Sequence, residues 1–190
     1  KVLDRGEFGS TVTRSDGAFD LLVNGGGPLT LVFSKPGFLT GQRRVVPAWL
    51  DYTNADTVAM IGKSARRTVV DSSSACMARV RCVSDGNGDR DVRMLFPRGF
   101  ISSVAKGPGD TVRVTSARVR ATEFTIGRDG PKSMPAALPP GSAYTYCLDM
   151  RLDEADSLAQ VAGKASLETR FNKPIACYVR NMLHLPVGTP

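Results

Sequence analysis

No run of this chain approaches the ~18–20 consecutive apolar residues that a membrane-crossing helix needs, so insertion by that route is not expected. There is one histidine, His184, and one tryptophan, Trp49, and aromatic residues make up only 7% of the chain. The few aromatics do not interleave with basic residues as they do in readers of single-stranded nucleic acid, so no nucleic-acid partner is expected. With one histidine and no C-x-x-C pair among the four cysteines, a zinc centre is poorly supported. His184 lies in Leu183-His184-Leu185-Pro186, away from any nucleophile motif such as G-x-S-x-G. Asn24-Gly25-Gly26-Gly27 has no Lys-Ser/Thr pair and is followed by a strand pattern rather than a helix, so it reads as a tight turn and not as a phosphate cradle. These absences predict a chain with no catalytic residue and no cofactor. The chain opens on Lys1-Val2-Leu3-Asp4-Arg5, without an initiator methionine or an apolar leader. It reads as a fragment or a processed chain, in which a missing signal says little about compartment.

What is present is an ordinary globular composition. The 190 residues allow one large or two small domains, and 42% apolar with 23% charged residues suffice for a core. Nineteen glycines and twelve prolines, with few long helical patterns, indicate a β-protein rich in turns. The net charge of +7 is spread through Arg43-Arg44, Arg66-Arg67, Arg79/Arg81, Arg113 and Arg118/Arg120. The alternating pairs predict solvent faces of strands rather than one anionic contact surface.

Strand signals recur at close spacing. Ser10–Arg14, Ala18–Asn24, Leu29–Ser34, Gln42–Val46 and Asp56–Ile61 are separated by Ser15-Asp16-Gly17, Gly25–Pro28 and Lys35-Pro36-Gly37. They predict a first β-sandwich over residues 1–62, with a linker from Gly62 to Arg67. A second β-rich domain is expected over residues 68–190. Its strands are Thr68–Val70, Ala78–Val83, Val92–Phe96, a long stretch Thr111–Ile126 bent near Ser116, Ala143–Met150, Ala165–Phe171 and Ile175–Asn181. The one helix expected lies near residues 153–162, where Asp153, Glu154 and Asp156 suit the positive end of the dipole and Gly163 marks the stop. The fold class is therefore all-β, two Ig- or transthyretin-like sandwich units with one short helix.

Three further features invite a chemical reading. Asp85, Asn87 and Asp89 begin as a calcium loop does, but Arg90 replaces the glycine of the sixth position and Phe96 the glutamate of the twelfth, so a polar hairpin turn is the better account. Cys76 and Cys82 flank a short segment, and Cys147 and Cys177 lie in two expected strands. Four cysteines allow three pairings, with buried thiols as the alternative. Trp49 and Tyr52 suit either a sandwich edge or a partner surface.

The run Gly9–Leu21, with its Arg14-x-Asp16-Gly17-x-Phe19-Asp20 turn, and the break Asn24-Gly25-Gly26 resemble the start of the plug region of teneurin and rearrangement-hotspot (Rhs) repeat shell proteins. Leu29–Phe33, Phe38-Leu39 and Val45-Val46-Pro47-Ala48-Trp49 continue the likeness. The family often has proline and tryptophan adjacent, so Ala48 is a departure. Val119–Thr125, Tyr144-Thr145-Tyr146, Phe171-Asn172-Lys173-Pro174-Ile175, Tyr178–Asn181 and Leu185–Gly188 are similar to later segments in bacterial members. The resemblance implies a transthyretin-like, carboxypeptidase-regulatory-like sandwich followed by a fibronectin-like plug. Such a plug helps close a hollow β-shell of Tyr-Asp repeats, in secreted or cell-surface proteins that act in adhesion or enclose a toxin. These residues contain no Tyr-Asp repeats, so the partner implied is a shell elsewhere in the same precursor or on a partner chain. Trp49, Phe171, Pro174, Tyr178, Leu185 and Pro186 are the expected contact residues. An adhesive module for a glycan or protein ligand is the alternative, and a hydrolase the least supported reading.

Overall fold

Leu29–Phe33 (β1) and Gly41–Val45 (β2) pair antiparallel across the turn at Lys35-Pro36-Gly37, with Leu29 opposite Val45 and Phe33 opposite Gly41. In this computed structural model, which describes residues 1–80, 83–85, 88–123, 129–134, 147–164, 166–182 and 184–188, the chain divides into two units between Lys63 and Ser64. In the first unit, Val2 bridges Leu31 on the free side of β1, and Leu3 N–H donates to Thr30 O at 2.8 Å.

The arms of the Arg14–Ala18 turn are not strands, although Ser10–Arg14 and Ala18–Asn24 carry strand patterns. The turn closes as its residues demand: Arg14 N–H donates to Ala18 O and Ala18 N–H to Asp16 Oδ1, with Gly17 at φ +85°. Beyond it, among the described residues, the arms gain the Arg14–Asp20 ion pair and the edge-on packing of Phe19 on Phe33, and no ladder forms. Asp56–Ile61 likewise touches its neighbours singly, through Leu39 N–H to Ile61 O and Ala59 N–H to Lys132 O, and is not a strand.

The same unit also holds residues 129–134 and Cys147, which lie within the 68–190 span expected for the second domain. The reason is a buried core pair, Leu39 and Met134, flanked by Ile61 and Cys147, together with one arginine. Arg43 is 5% exposed. Its guanidinium donates to Gln42 O at 2.7 Å, Met134 O at 2.9 Å and Lys132 O at 2.7 Å. A position expected on a solvent face is thus a buried staple, since every other residue of β2 faces inward and a guanidinium ringed by carbonyls is tolerable there.

The second unit contains β3 (Thr68–Asp71), β4 (Cys76–Arg79), β5 (Val83–Asp85), β6 (Gly88–Arg90), β7 (Val92–Phe96) and β8 (Ser102–Gly107). It continues with β9 (Asp110–Val114), β10 (Ser116–Glu123), β11 (Leu148–Leu152), α1 (Asp153–Val161), β12 (Glu168–Phe171) and β13 (Ala176–Val179). Three antiparallel three-stranded sheets have the orders β11-β10-β3, β12-β8-β9 and β13-β7-β4, and β5-β6 is a separate hairpin. The chain is mostly β with several small antiparallel sheets and one short α-helix among the described residues. β9 and β10 break at Thr115, next to the bend expected at Ser116.

Alternation sets the core. In β7, Val92, Met94 and Phe96 are buried while Arg93 and Leu95 face out. Val70, Phe100 and Val104 are also fully buried. Burying such a side chain is worth about 1.5–3 kcal/mol. Strand β8 carries no clear signal, because Ser102-Ser103 opens it. The structure buries Ser102 completely by letting its hydroxyl donate to Val114 O at 3.0 Å.

Helix α1 begins after Leu152, which offers no side-chain cap. The acidic first turn has more specific work than the dipole alone. Asp153 accepts from Arg120 Nε at 3.0 Å and Nη2 at 2.8 Å, and pairs with Arg67 at 2.8 Å. Glu154 accepts from the Arg118 N–H. Arg120 also donates to Ser64 O, so it ties the start of the unit to the helix rather than facing solvent. Ala155 and Ala159, one turn apart, form the buried face. The helix stops at Gly163, at φ +65°, where Gly163 N–H donates to Gln160 O and Lys164 N–H to Ala159 O.

Candidate interaction site

Phe171, Pro174 and Tyr178 all lie on one bent strand. β12 pairs with β8 and β13 with β7, so residues 168–179 run antiparallel to 92–105 and pass from one sheet to another at Asn172-Lys173-Pro174. The register, 171 with 102 but 176 with 95, leaves two extra residues on the opposite strand, a bulge at Pro97–Ile101. Asn172 clamps it. Its Oδ1 accepts from Ile101 N–H at 2.6 Å, its Nδ2 donates to Gly99 O at 3.2 Å, and its own N–H donates to Ile101 O at 3.1 Å. Lys173 Nζ donates to Arg98 O at 2.8 Å. Proline follows where a ladder N–H is not required.

Register also sorts the faces. Tyr178 lies opposite Arg93, which lies opposite Arg79, and this row points outward. Asp91 gathers both arginines: Arg79 Nε and Nη2 donate to its two oxygens at 3.2 and 2.9 Å, and Arg93 Nε lies at 3.4 Å. The Arg79 hydrogen bonds hold the Asp91 carboxyl below the usual carboxylate range against the opposing pull of burial, and the charges of Arg79 and Arg93 add to the effect. Tyr178 is 60% exposed and Phe171 37% exposed. Phe171 also meets the Phe96 ring edge-on at 6.1 Å between centroids. Leu185 and Pro186 are exposed in the loop after β13. Asn181 closes that loop by donating to Leu185 O and accepting from Leu185 N–H, which sets exposed His184 at φ +51°.

On its inner side the bent strand borders a cavity of about 470 Å3, within the range of ligand sites. Met94, Phe96, Val119, Leu152, Phe171 and Ile175 make it apolar. Asp149, Arg151 and Asp156 stand together at its polar part. Arg151 Nε donates to Asp149 at 2.7 Å and Nη1 to Asp156 at 3.4 Å, and the Asp149 hydrogen bond in particular raises the guanidinium pKa further. The sequence carries no signal for this cavity, because its walls are ordinary strand residues that only sheet pairing brings together.

Other expected sites land as follows. Val83–Asp85 and Gly88–Arg90 pair antiparallel as β5 and β6, and Asp89 is engaged by Ser84 and by Arg180 at 3.2 Å. Asn87 and the Asp85 side chain lie outside the described residues, and no cluster of three metal-ligating side chains occurs among the described ones. Cys76 and Cys177 are free thiols, Cys76 donating to Asp71 O at 3.2 Å, while Cys82 lies outside the described residues. Cys147 sits beside the Leu39–Met134 pair in the first unit. No described helix is long and apolar enough to cross a membrane.

In the first unit, Trp49 is 69% exposed, beside exposed Leu50, at φ +55°, and exposed Tyr52. The two short motifs of that unit meet in space. A Cβ on Gly25 would lie 2.3 Å from Ala48 O, and Gly26 N–H donates to Pro47 O at 3.0 Å. The Asn-Gly-Gly break thus exists to let the backbone approach Pro47-Ala48-Trp49.

A protein-family profile described as Teneurin TTR-like domain matches residues 1–60. Teneurin-3 of Mus musculus is 48% identical over 54 residues, which cover 28% of this chain and 2% of that protein. Teneurin-m of Drosophila melanogaster is 39% identical over 70 residues, 37% of this chain and 3% of that protein. Teneurin-1 of Gallus gallus is 38% identical over 58 residues, 30% of this chain and 2% of that protein. The matched segments thus span only about 2–3% of the length of these curated relatives. No solved structure matches the chain. Residues 1–60, about a third of the chain, are therefore a domain of the Teneurin TTR-like kind, and they include both motifs that meet at Gly25 and Ala48.

Proposed function

We propose that the chain is a non-catalytic structural module of a large teneurin-like protein, secreted or at the cell surface, and that its second unit is a plug that docks on a Tyr-Asp-repeat β-shell. The observation that carries this reading is the gathering of exposed apolar side chains along one continuous stretch of chain. Phe171, Pro174 and Tyr178 lie on the bent strand and Leu185 and Pro186 follow it, whereas scattered surface apolars are the norm for a monomer. The match of residues 1–60 supports the setting, because that domain is similar to a part of teneurins.

Cross-linking mass spectrometry on the protein expressed from its complete reading frame tests the idea. Lys173, at the corner of the bent strand, is expected to cross-link to shell residues. The double variant Tyr178→Glu/Leu185→Glu is expected to lose those links while each unit stays folded. A reading frame without Tyr-Asp repeats, or cross-links unchanged in the variant, would sink the plug reading.

A second reading, an adhesive module for a glycan or protein ligand, is favoured by the Trp49-Leu50-Asp51-Tyr52 loop, whose large side chains are exposed together. Under it, Trp49→Ala abolishes ligand capture. Under the plug reading it leaves shell contact intact.

A further inference from the structure

The walls of the 470 Å3 cavity have an unusual make-up. Asp149, Met150, Arg151 and Leu152 are consecutive residues of β11, and all four line it. Side chains of a strand alternate between faces, so four consecutive residues bordering one cavity fit a cavity that reaches around the strand's edge. That edge is unpaired among the described strands, since β11 is terminal in the order β11-β10-β3. In an antiparallel pair, alternate residues direct their N–H and C=O groups away from the partner, so among the described residues β11 offers a row of unpaired backbone donors and acceptors beside the cavity. Opposite stand Met94 and Phe96 on the inner face of β7, with Phe171, Ile175 and the thiol of Cys177 on the bent strand.

The polar groups decide the sign of what fits. Arg151 is held by both Asp149 and Asp156, so an anion would find the one arginine among the described lining residues already engaged by two carboxylates. Among the described lining residues, two carboxylates and one guanidinium leave a net charge of −1. A basic side chain can lay its aliphatic stem on the apolar wall and bring its charge to the carboxylates.

We propose that β11 receives an extended peptide segment of a protein partner by strand addition, with apolar residues at alternate positions entering the cavity and a basic residue meeting Asp149 and Asp156. This deepens the contact reading, since Phe171 serves both, and rests on that reading for the partner's being a protein.

The test uses the whole chain and no shell, so this proposal and the plug reading can fail separately. The probe is a capped, fluorescein-labelled hexapeptide of alternating lysine and valine, followed by fluorescence anisotropy. Saturable binding below 1 mM is expected, at least tenfold tighter than for the glutamate–valine and lysine–serine counterparts. N-methylation of alternate peptide amides, which removes ladder donors without touching the protein, is expected to abolish binding. Asp149→Asn is expected to weaken it several-fold with an unchanged melting temperature. Occupancy is also expected to slow maleimide modification of Cys177, read by peptide mass spectrometry, while leaving Cys76 unaffected. Equal binding of the N-methylated peptide would mean a surface charge effect only and would overturn the strand addition. Equal binding of the glutamate peptide would overturn the charge assignment, and absence of binding at 1 mM would overturn the whole proposal.

Discussion

Removing the Arg43 guanidinium is the sharpest test of how the first unit holds together. Arg43 sits on β2 but donates to the carbonyls of Lys132 and Met134, some ninety residues away. Hydrogen bonds to a charged group contribute about 1.5–3 kcal/mol each, so the two long-range bonds represent about 3–6 kcal/mol before the cost of burying the charge is subtracted. The bond to Gln42 O is local and survives partly in the unfolded chain. Truncation also takes the arginine donor from Met134 O, at about 1–3 kcal/mol when buried, while Lys132 O keeps the Ala59 N–H. The expected net loss for Arg43→Ala is about 3 kcal/mol. Arg43→Met, which keeps most of the stem, should lose nearly as much. Arg44, the exposed neighbour, provides the control, with Arg44→Ala staying within about 0.5 kcal/mol. Urea unfolding followed by circular dichroism should show a midpoint about 1–3 M lower for both Arg43 variants at constant slope. Hydrogen exchange at Ala59, whose N–H donates to Lys132 O, should accelerate in parallel. If Arg43→Met behaved like Arg44→Ala, the staple would be ornamental and the grouping of residues 129–134 with the first unit would need another cause.

Gly25→Ala should destabilise the first unit by about 3 kcal/mol, because the new methyl meets a backbone carbonyl that cannot rotate away; a thermal melt unchanged within 1 °C would refute the close approach. Asn172→Ala should cost about 2 kcal/mol by freeing Ile101 N–H and Gly99 O, and exchange at Ile101 should rise before that of neighbouring β8. Asp91→Asn should lower stability at neutral pH. Because the folded carboxyl titrates below its unfolded value, the stabilisation is present above the ordinary carboxylate range and is lost as the pH falls through the lowered value. The gap between Asp91→Asn and the parent should therefore close below about pH 4, and a gap constant from pH 7 to 2 would contradict the Arg79 assignment.

How the parts of this molecule became legible depended on the range of the interactions involved. The Arg14–Ala18 turn, the alternation of β7 and the helix from Asp153 to Val161 follow from contacts within a few residues, and the local order of residues reports those. The first motifs also sufficed to place residues 1–60 near the teneurin domain, since short turns with obligatory glycines leave fixed letters. Pairing was not legible. Whether an extended segment becomes a strand depends on a partner, so Asp56–Ile61 stayed outside the ladders while Ser102–Gly107, with its unpromising serines, entered one. Burial of polar groups was equally hidden, because Arg43 and Arg120 read as surface until their distant acceptors, Lys132, Met134 and Asp153, came within reach. Sequence by itself determined a β-rich chain of teneurin-like beginning without recognisable catalytic motifs. Tertiary structure alone placed Phe171, Pro174 and Tyr178 on one bent strand and opened a cavity along the edge of β11, because an edge and a cavity are properties of what lies beside a residue in space.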